Sequence, residues 1–208
     1  MTGPAPVRAG LAWAAVGGAI VAAGVQAATS PLLAWRDAIY IAGCLAGVAA
    51  LALLLLQPLL AGGYLVGLRR GRRVHGWVGG VLVAAVVGHV AALWLTSPPD
   101  VVDALLFRSP TAFSVWGVVA MWAVFATALL AALRRWQGLW RLGHVGLGVV
   151  IAVATVVHAW LIDGTMGMVS KAVLCGLVLA ATAWVVLDAR LPAAIRRLAR
   201  QLRDRRAV

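Results

Sequence analysis

Glutamate is absent from this 208-residue chain, and its six acidic residues are all aspartates. Charged residues of both signs make up only 12% of the sequence, against about a quarter in an ordinary soluble domain. The two cysteines, Cys44 and Cys175, both lie inside apolar runs, which argues against a disulfide framework or a CxxC metal site and for small buried hydrophobes. No convincing strand is present, and no GxGxxG turn follows one, so a dinucleotide-binding domain is not expected. No catalytic acid, base or nucleophile stands out. What the chain has is apolar mass: 63% hydrophobic residues and a mean hydropathy of +0.98. That excludes disorder, which needs low hydrophobicity, and it excludes an ordinary soluble domain. A helix that crosses the bilayer takes about 20 apolar residues, so the chain has room for several. It reads as an all-α, polytopic membrane protein.

The net charge of +12 and a pI near 11.7 could point to nucleic acid, but the placement of the charge argues otherwise. The arginines form short blocks between hydrophobic runs, which is a positive-inside pattern rather than a nucleic-acid footprint. Six runs are near spanning length: residues 10–28, 38–60, 76–96, 111–133, 145–162 and 169–187. Cap and turn residues punctuate them at Thr29-Ser30-Pro31, Ser97-Pro98-Pro99 and Asp163-Gly164. With the N-terminus inside, one face gathers Arg8, Arg69, Arg70, Arg72, Arg73, Arg134, Arg135, Arg141 and the tail arginines. The other face holds Arg36, Arg108 and Lys171 beside Asp37, Asp100, Asp103 and Asp163. Both termini are therefore expected in the cytoplasm, in a bacterial plasma membrane. Trp13, Trp35, Trp77, Trp94, Trp116, Trp136, Trp140, Trp160 and Trp184 fall near span ends, as an interfacial belt requires; Trp122 does not.

Two units follow: a transmembrane domain over 1–187 and a basic tail over 188–208. Val25-Gln26-Ala27 passes for a signal-peptide cleavage site, but the run is long for such a segment and a retained first helix is expected. In the tail, Leu191, Ile195, Leu198 and Leu202 recur at helical spacing, which suits either a helix on the anionic inner leaflet or a solvated basic tail. No soluble domain is expected after it.

All four histidines lie in or at the mouths of two runs. His75 and His89 are 14 residues apart on the third, and His144 and His158 are 14 apart on the fifth. Fourteen helical steps return a side chain to within about 40° of its starting direction and rise about 21 Å. Each run therefore carries one imidazole near the inner surface and one toward the outer side, both facing the same way. The two runs share a direction, so neighbouring placement would pair His75 with His144 and His89 with His158. A site of two neutral imidazoles on one axis suits haem iron, whereas zinc takes three or four ligands. A single intramembrane histidine is more often a polar group bonded between helices, but two equally spaced pairs are hard to reach by accident.

Gly79, Gly80 and Gly88 flank the first pair, and Gly143, Gly146 and Gly148 follow the start of the second. They give room for a flat macrocycle, and the Gly76-xxx-Gly80 spacing equally serves helix packing. Arg72, Arg73 and Arg141 stand at the inner level, where propionate contacts are available to them besides their topological role.

His75-Gly76-Trp77-Val78-Gly79 followed by His89, and Trp140-Arg141-Leu142-Gly143-His144 followed by His158-Ala159-Trp160, resemble the ferric reductase-like transmembrane domain. That superfamily includes ferric reductases, NADPH oxidases and the haem-binding membrane subunit of the bacterial methionine sulfoxide reductase system. The resemblance covers about residues 38–187. It implies a six-helix bundle whose b-type haems are held by His75, His89, His144 and His158 and pass electrons across the bilayer. The sulfoxide reductase subunit is of similar length and lacks a flavin domain, yet commonly has arginine where His75 stands. The inner pair is similar instead to the two-haem reductases and oxidases, which usually continue into flavin and NADPH domains.

Two haems b are thus expected, with one as the alternative, and a bound flavin or quinone is left open. Electrons would come from a membrane quinol or a separate cytoplasmic flavoprotein. They would leave near the loop from Ser97 to Pro110, to an external reductase subunit or ferric iron. The alternative is a haem-free transport or scaffold subunit.

Overall fold

The computed structural model describes the backbone of residues 5–65, 68–133 and 137–206, and the side chains of 10–65, 69–133 and 140–188. Among them are seven α-helices: α1 (Ala5–Ala28), α2 (Ala38–Ala61), α3 (Leu68–Thr96), α4 (Pro98–Leu105), α5 (Ala112–Leu133), α6 (Gln137–Leu161) and α7 (Met168–Arg206). All but α4 are long and apolar enough to cross a membrane, so the chain is built as a multi-pass bundle.

Local chemistry sets the helix starts on the face opposite the arginine blocks. Asp37 caps α2 by accepting the Ile39 N–H at 2.7 Å, and Ser30 caps the 3-10 turn Pro31–Leu33 between α1 and α2. Ser97 precedes two prolines at the start of α4, where a missing N–H costs nothing, and its hydroxyl donates to Asp100. The expected 97–110 loop is therefore half helix.

The arginine-bearing ends differ from the sequence expectation. Helix α3 begins at Leu68 and α6 at Gln137, so Arg69, Arg70, Arg72, Arg73 and Arg141 lie in the first turns of helices rather than in loops. Long arginine stems can run up from a helix while their heads reach polar surroundings, and apolar periodicity alone misses those turns. Arg134, Arg135 and Trp136 lie outside the described residues, as do the side chains of Arg8 and of the tail from residue 189. The backbone of α7 continues as helix to Arg206.

Helices α2 and α3 pack along each other as one antiparallel hairpin, and α5 and α6 as a second; α7 packs on α2 and α6, and α1 on α2 and α7. The shared core is Leu51, Leu54 and Leu55 from α2, Leu82 from α3, Val124 from α5, Ile151 and Ala152 from α6, and Leu174, Cys175 and Val178 from α7. In lipid, association rests on close van der Waals fit rather than on escape from water, and alanine supplies it where α1 docks: Ala23 and Ala27 are fully buried.

On the arginine-bearing side, indoles tie the elements together. Trp13 Nε1 donates to the Leu65 carbonyl (3.0 Å), Trp140 Nε1 to that of Leu130 (2.8 Å) and Trp184 Nε1 to the Tyr64 hydroxyl (3.1 Å). This is how an interfacial tryptophan satisfies its one polar atom. Trp122, mid-span, meets the edge of Phe125 at 5.9 Å.

Tyr64 in turn donates to Asp188 at 2.6 Å, joining the α2–α3 turn to the end of the α7 span. The hydrogen bond to the Asp188 carboxylate holds the phenol above the ordinary tyrosine range, because losing the proton would set two anions side by side. The folded pKa is raised, so this tie is fully present below the unfolded value of about 10 and is lost as pH rises through the higher folded value. In a Tyr40→Phe background, ultraviolet titration should show Tyr64 ionising above pH 10, and Asp188→Asn should return it to the ordinary value. An unchanged midpoint in Asp188→Asn would mean the pair does not form in solution.

Candidate functional site

His75 and His89 lie on α3, with His144 and His158 on α6, as their spacing required. At the arginine-bearing level, the His75 and His144 rings stand 5.9 Å apart between centroids, with planes inclined at 70°. At the far level, His89 and His158 occupy the corresponding positions near the other ends of α3 and α6. Helices α3 and α6 nevertheless share no extended backbone packing; each is held by its own hairpin partner. The inner two histidines therefore meet across a seam rather than within a tight helix pair.

What orients them was not anticipated from the sequence. His75 Nδ1 meets the Gln57 carbonyl at 3.1 Å, His89 Nδ1 that of Gly43 at 2.7 Å, and His158 Nδ1 that of Phe113 at 2.8 Å. A carbonyl can only accept, so in each case Nδ1 carries the proton and Nε2 keeps its lone pair. This is the outer-shell arrangement that fixes tautomer and ring angle in metal-ligating histidines. All three partners sit on the hairpin mate, on α2 for the α3 histidines and on α5 for His158. The rings are half-buried, so part of each is not covered by protein. His144 is braced differently: Trp140, one turn earlier, stacks on it at 5.2 Å and 18°.

The Gln57 side chain ends beside this inner pair with its Nε2 buried and without a hydrogen-bond partner, 3.8 Å from where a Cβ on Gly79 would lie. A buried amide donor left unmade costs about 1–3 kcal/mol, which marks a spot suited to a further polar group.

The glycines divide in a way that spacing could not foretell. A Cβ added at Gly76, Gly80, Gly88, Gly146 or Gly148 would meet nothing within 4 Å, so the Gly76-xxx-Gly80 pair does not serve helix packing here. Gly143 instead faces Leu130 at 3.2 Å. Arg72 and Arg141 each stand three residues before an inner histidine, and with Arg73 they are exposed at this end of the seam. Among the described residues no group of three or more His, Cys, Asp or Glu gathers to hold a metal ion. The larger apolar cleft, about 400 Å³ between α3, α4 and α5, is lined by Val87, Ala91, Trp94 and Phe125. It opens on the side of α3 turned away from His89.

No protein-family model matches this chain, and neither a curated protein nor a solved structure matches it.

Proposed function

We propose that the chain is a b-type cytochrome that carries electrons across the membrane, with two haems stacked between α3 and α6. His75 and His144 would hold the inner haem and His89 and His158 the outer. The observation that carries this is the set of three clasps, in which each Nδ1–H is tied to a carbonyl of the hairpin mate and each Nε2 keeps its lone pair.

The donor set fits the group. His75 and His144, with ring centroids 5.9 Å apart, bring two imidazoles to one level, a donor set suited to haem iron. The unmade Gln57 amide and the open flank of Gly148, four residues after His144, are compatible with a flat group in the seam. Bound there, haem would supply reversible one-electron chemistry. The chain's own part is to fix ring angle and tautomer, to shield the seam with apolar side chains, and to set a positive field at one end. Arg72, Arg73 and Arg141 would favour the more reduced, more negative form at the inner level and are placed for propionates.

With the arginine-rich face and both termini in the cytoplasm, as the positive-inside rule directs, electrons would enter there from a membrane quinol or a separate flavoprotein. They would leave at the α4 side to an external reductase subunit or ferric iron. This is the role that the ferric reductase-like resemblance implies.

The deciding measurement is haem per polypeptide on protein purified from haem-replete cells. Two haems b per chain, with a sharp reduced α-band, are expected. One haem would favour the sulfoxide-reductase-type membrane subunit, and colourless protein would favour a haem-free transport or scaffold subunit.

A further inference from the structure

The two helical hairpins correspond to one another at fixed sequence offsets. His75 and His89 on α3 map onto His144 and His158 on α6 at an offset of 69, and the same offset carries Arg72 to Arg141, Gly79 to Gly148 and Leu82 to Ile151. Between α2 and α5 the offset is 70: Gly43 maps onto Phe113, Gly47 onto Gly117, and the buried Leu51 and Leu54 onto the buried Met121 and Val124. The repeat is one of geometry as well as sequence. The His89 Nδ1 bond to the Gly43 carbonyl recurs as the His158 bond to that of Phe113.

In each hairpin a glycine stands four residues after the accepting carbonyl, and the imidazole lies against it. A Cβ on Gly47 would come within 3.0 Å of His89 Nδ1 and 3.1 Å of its Cε1; one on Gly117 would come within 2.7 Å of both Nδ1 and Cε1 of His158. In an α-helix a carbonyl already bonds the N–H four residues on. The side chain of that later residue leans back over the same carbonyl. A glycine there leaves room for the imidazole to lie against the turn while it donates to the second lone pair; the inner bond of His75 to the Gln57 carbonyl is made with Ala61 at that position. The geometry points to Gly47 and Gly117 as the positioning residues of the outer site: each is a seat that lets an imidazole lie flat on its hairpin mate, donate from Nδ1 and present Nε2 to the seam.

This rests on the cytochrome reading, and the tests keep the two apart. In the full-length protein, Gly47→Ala and Gly117→Ala should each weaken haem retention at the outer site by on the order of tenfold, as loss of a ligand's outer-shell partner does elsewhere. The outer haem that remains should show a shifted midpoint potential and a shifted low-spin EPR signal, while the inner haem keeps both. Gly18→Ala and Gly176→Ala, where a Cβ meets nothing within 4 Å, should change neither.

In haem-free protein, nitrogen-15 NMR should find the Nδ1-protonated tautomer at His89 in the wild type and a loss of that preference in Gly47→Ala, so the seat is testable even if no haem binds. If Gly47→Ala fails to accumulate, Gly47→Ala/His89→Ala should accumulate as His89→Ala does, because the ring that clashed is gone. A double variant no better than Gly47→Ala would overturn the proposal. So would alanine variants whose outer-haem potential, EPR signal and His89 tautomer match those of the wild type.

Discussion

His89→Ala should purify with about half the wild-type reduced-minus-oxidised α-band, having lost one haem and kept the other. The same loss is expected from His158→Ala, and the double variant should be no worse than either single one, since two ligands of one iron act as a unit. His75→Ala and His144→Ala should give the complementary half, with the potential of the surviving outer haem close to its wild-type value. The large effect follows from the chemistry of the seam: an iron with one imidazole gone would lose half of its protein ligands. The pairing is tested by crossing levels. His89→Ala/His75→Ala should lose both haems, whereas His89→Ala/His158→Ala should lose one. A His89/His75 double that keeps one haem would mean that an iron is held without either α3 histidine, and the two-level reading would fail.

Much of this architecture was legible because two periodicities are strong in the sequence. Apolar runs near 20 residues have few alternatives to a spanning helix, and each of the six coincides with a long helix. The spacing of 14 between histidines fixes their direction and depth from helix geometry alone, once the helices exist. The boundaries were less legible. Arginines look like loop residues to a hydropathy count, yet Arg69–Arg73 and Arg141 extend α3 and α6, because a helix end costs backbone hydrogen bonds that the chain keeps by winding further. Helix α4 was hidden for the opposite reason: eight residues with two prolines read as a turn until Ser97 and the short run after it are seen to cap and continue.

The clasps could not be read from composition, since their acceptors are backbone carbonyls, which every residue has. Gln57, Gly43 and Phe113 share no chemistry; they share a position opposite a histidine. Only the glycine four residues further on leaves a trace, and Gly47 and Gly117 become conspicuous only when the offset between the histidine pairs is used to align the hairpins. Among many other glycines each is unremarkable. The open flanks of Gly76 and Gly80 make the converse point, for a motif that spells helix packing has no neighbour in contact with it.

Lys171 shows how far position can depart from a topological count. As a charge at the outer end of the last span it belonged to the outer surface, but it is 5% exposed, and its Nζ donates to the Ile162 carbonyl just past the end of α6. Two effects oppose each other there. Desolvating an ammonium is expensive, and replacing buried charges with apolar residues of similar size can stabilise by about 1–4 kcal/mol. Against that, the lysine satisfies a carbonyl at the negative end of the α6 dipole, and a hydrogen bond from a charged donor is worth about 1.5–3 kcal/mol, with a further cost if the acceptor is left bare. The second should win, because among the described residues no other side chain is bonded to that carbonyl, whereas Lys171 is already buried one turn before the core residues Leu174 and Cys175. Lys171→Met, which keeps the stem and deletes the charge, should therefore lower the Tm of the detergent-solubilised protein. Because His158 stands one turn before Ile162, heating that variant should release the outer haem before the inner one. A raised Tm would show that desolvation dominates. Simultaneous loss of both haems would show that the end of α6 is held by its packing against α5 and α7 rather than by this ammonium.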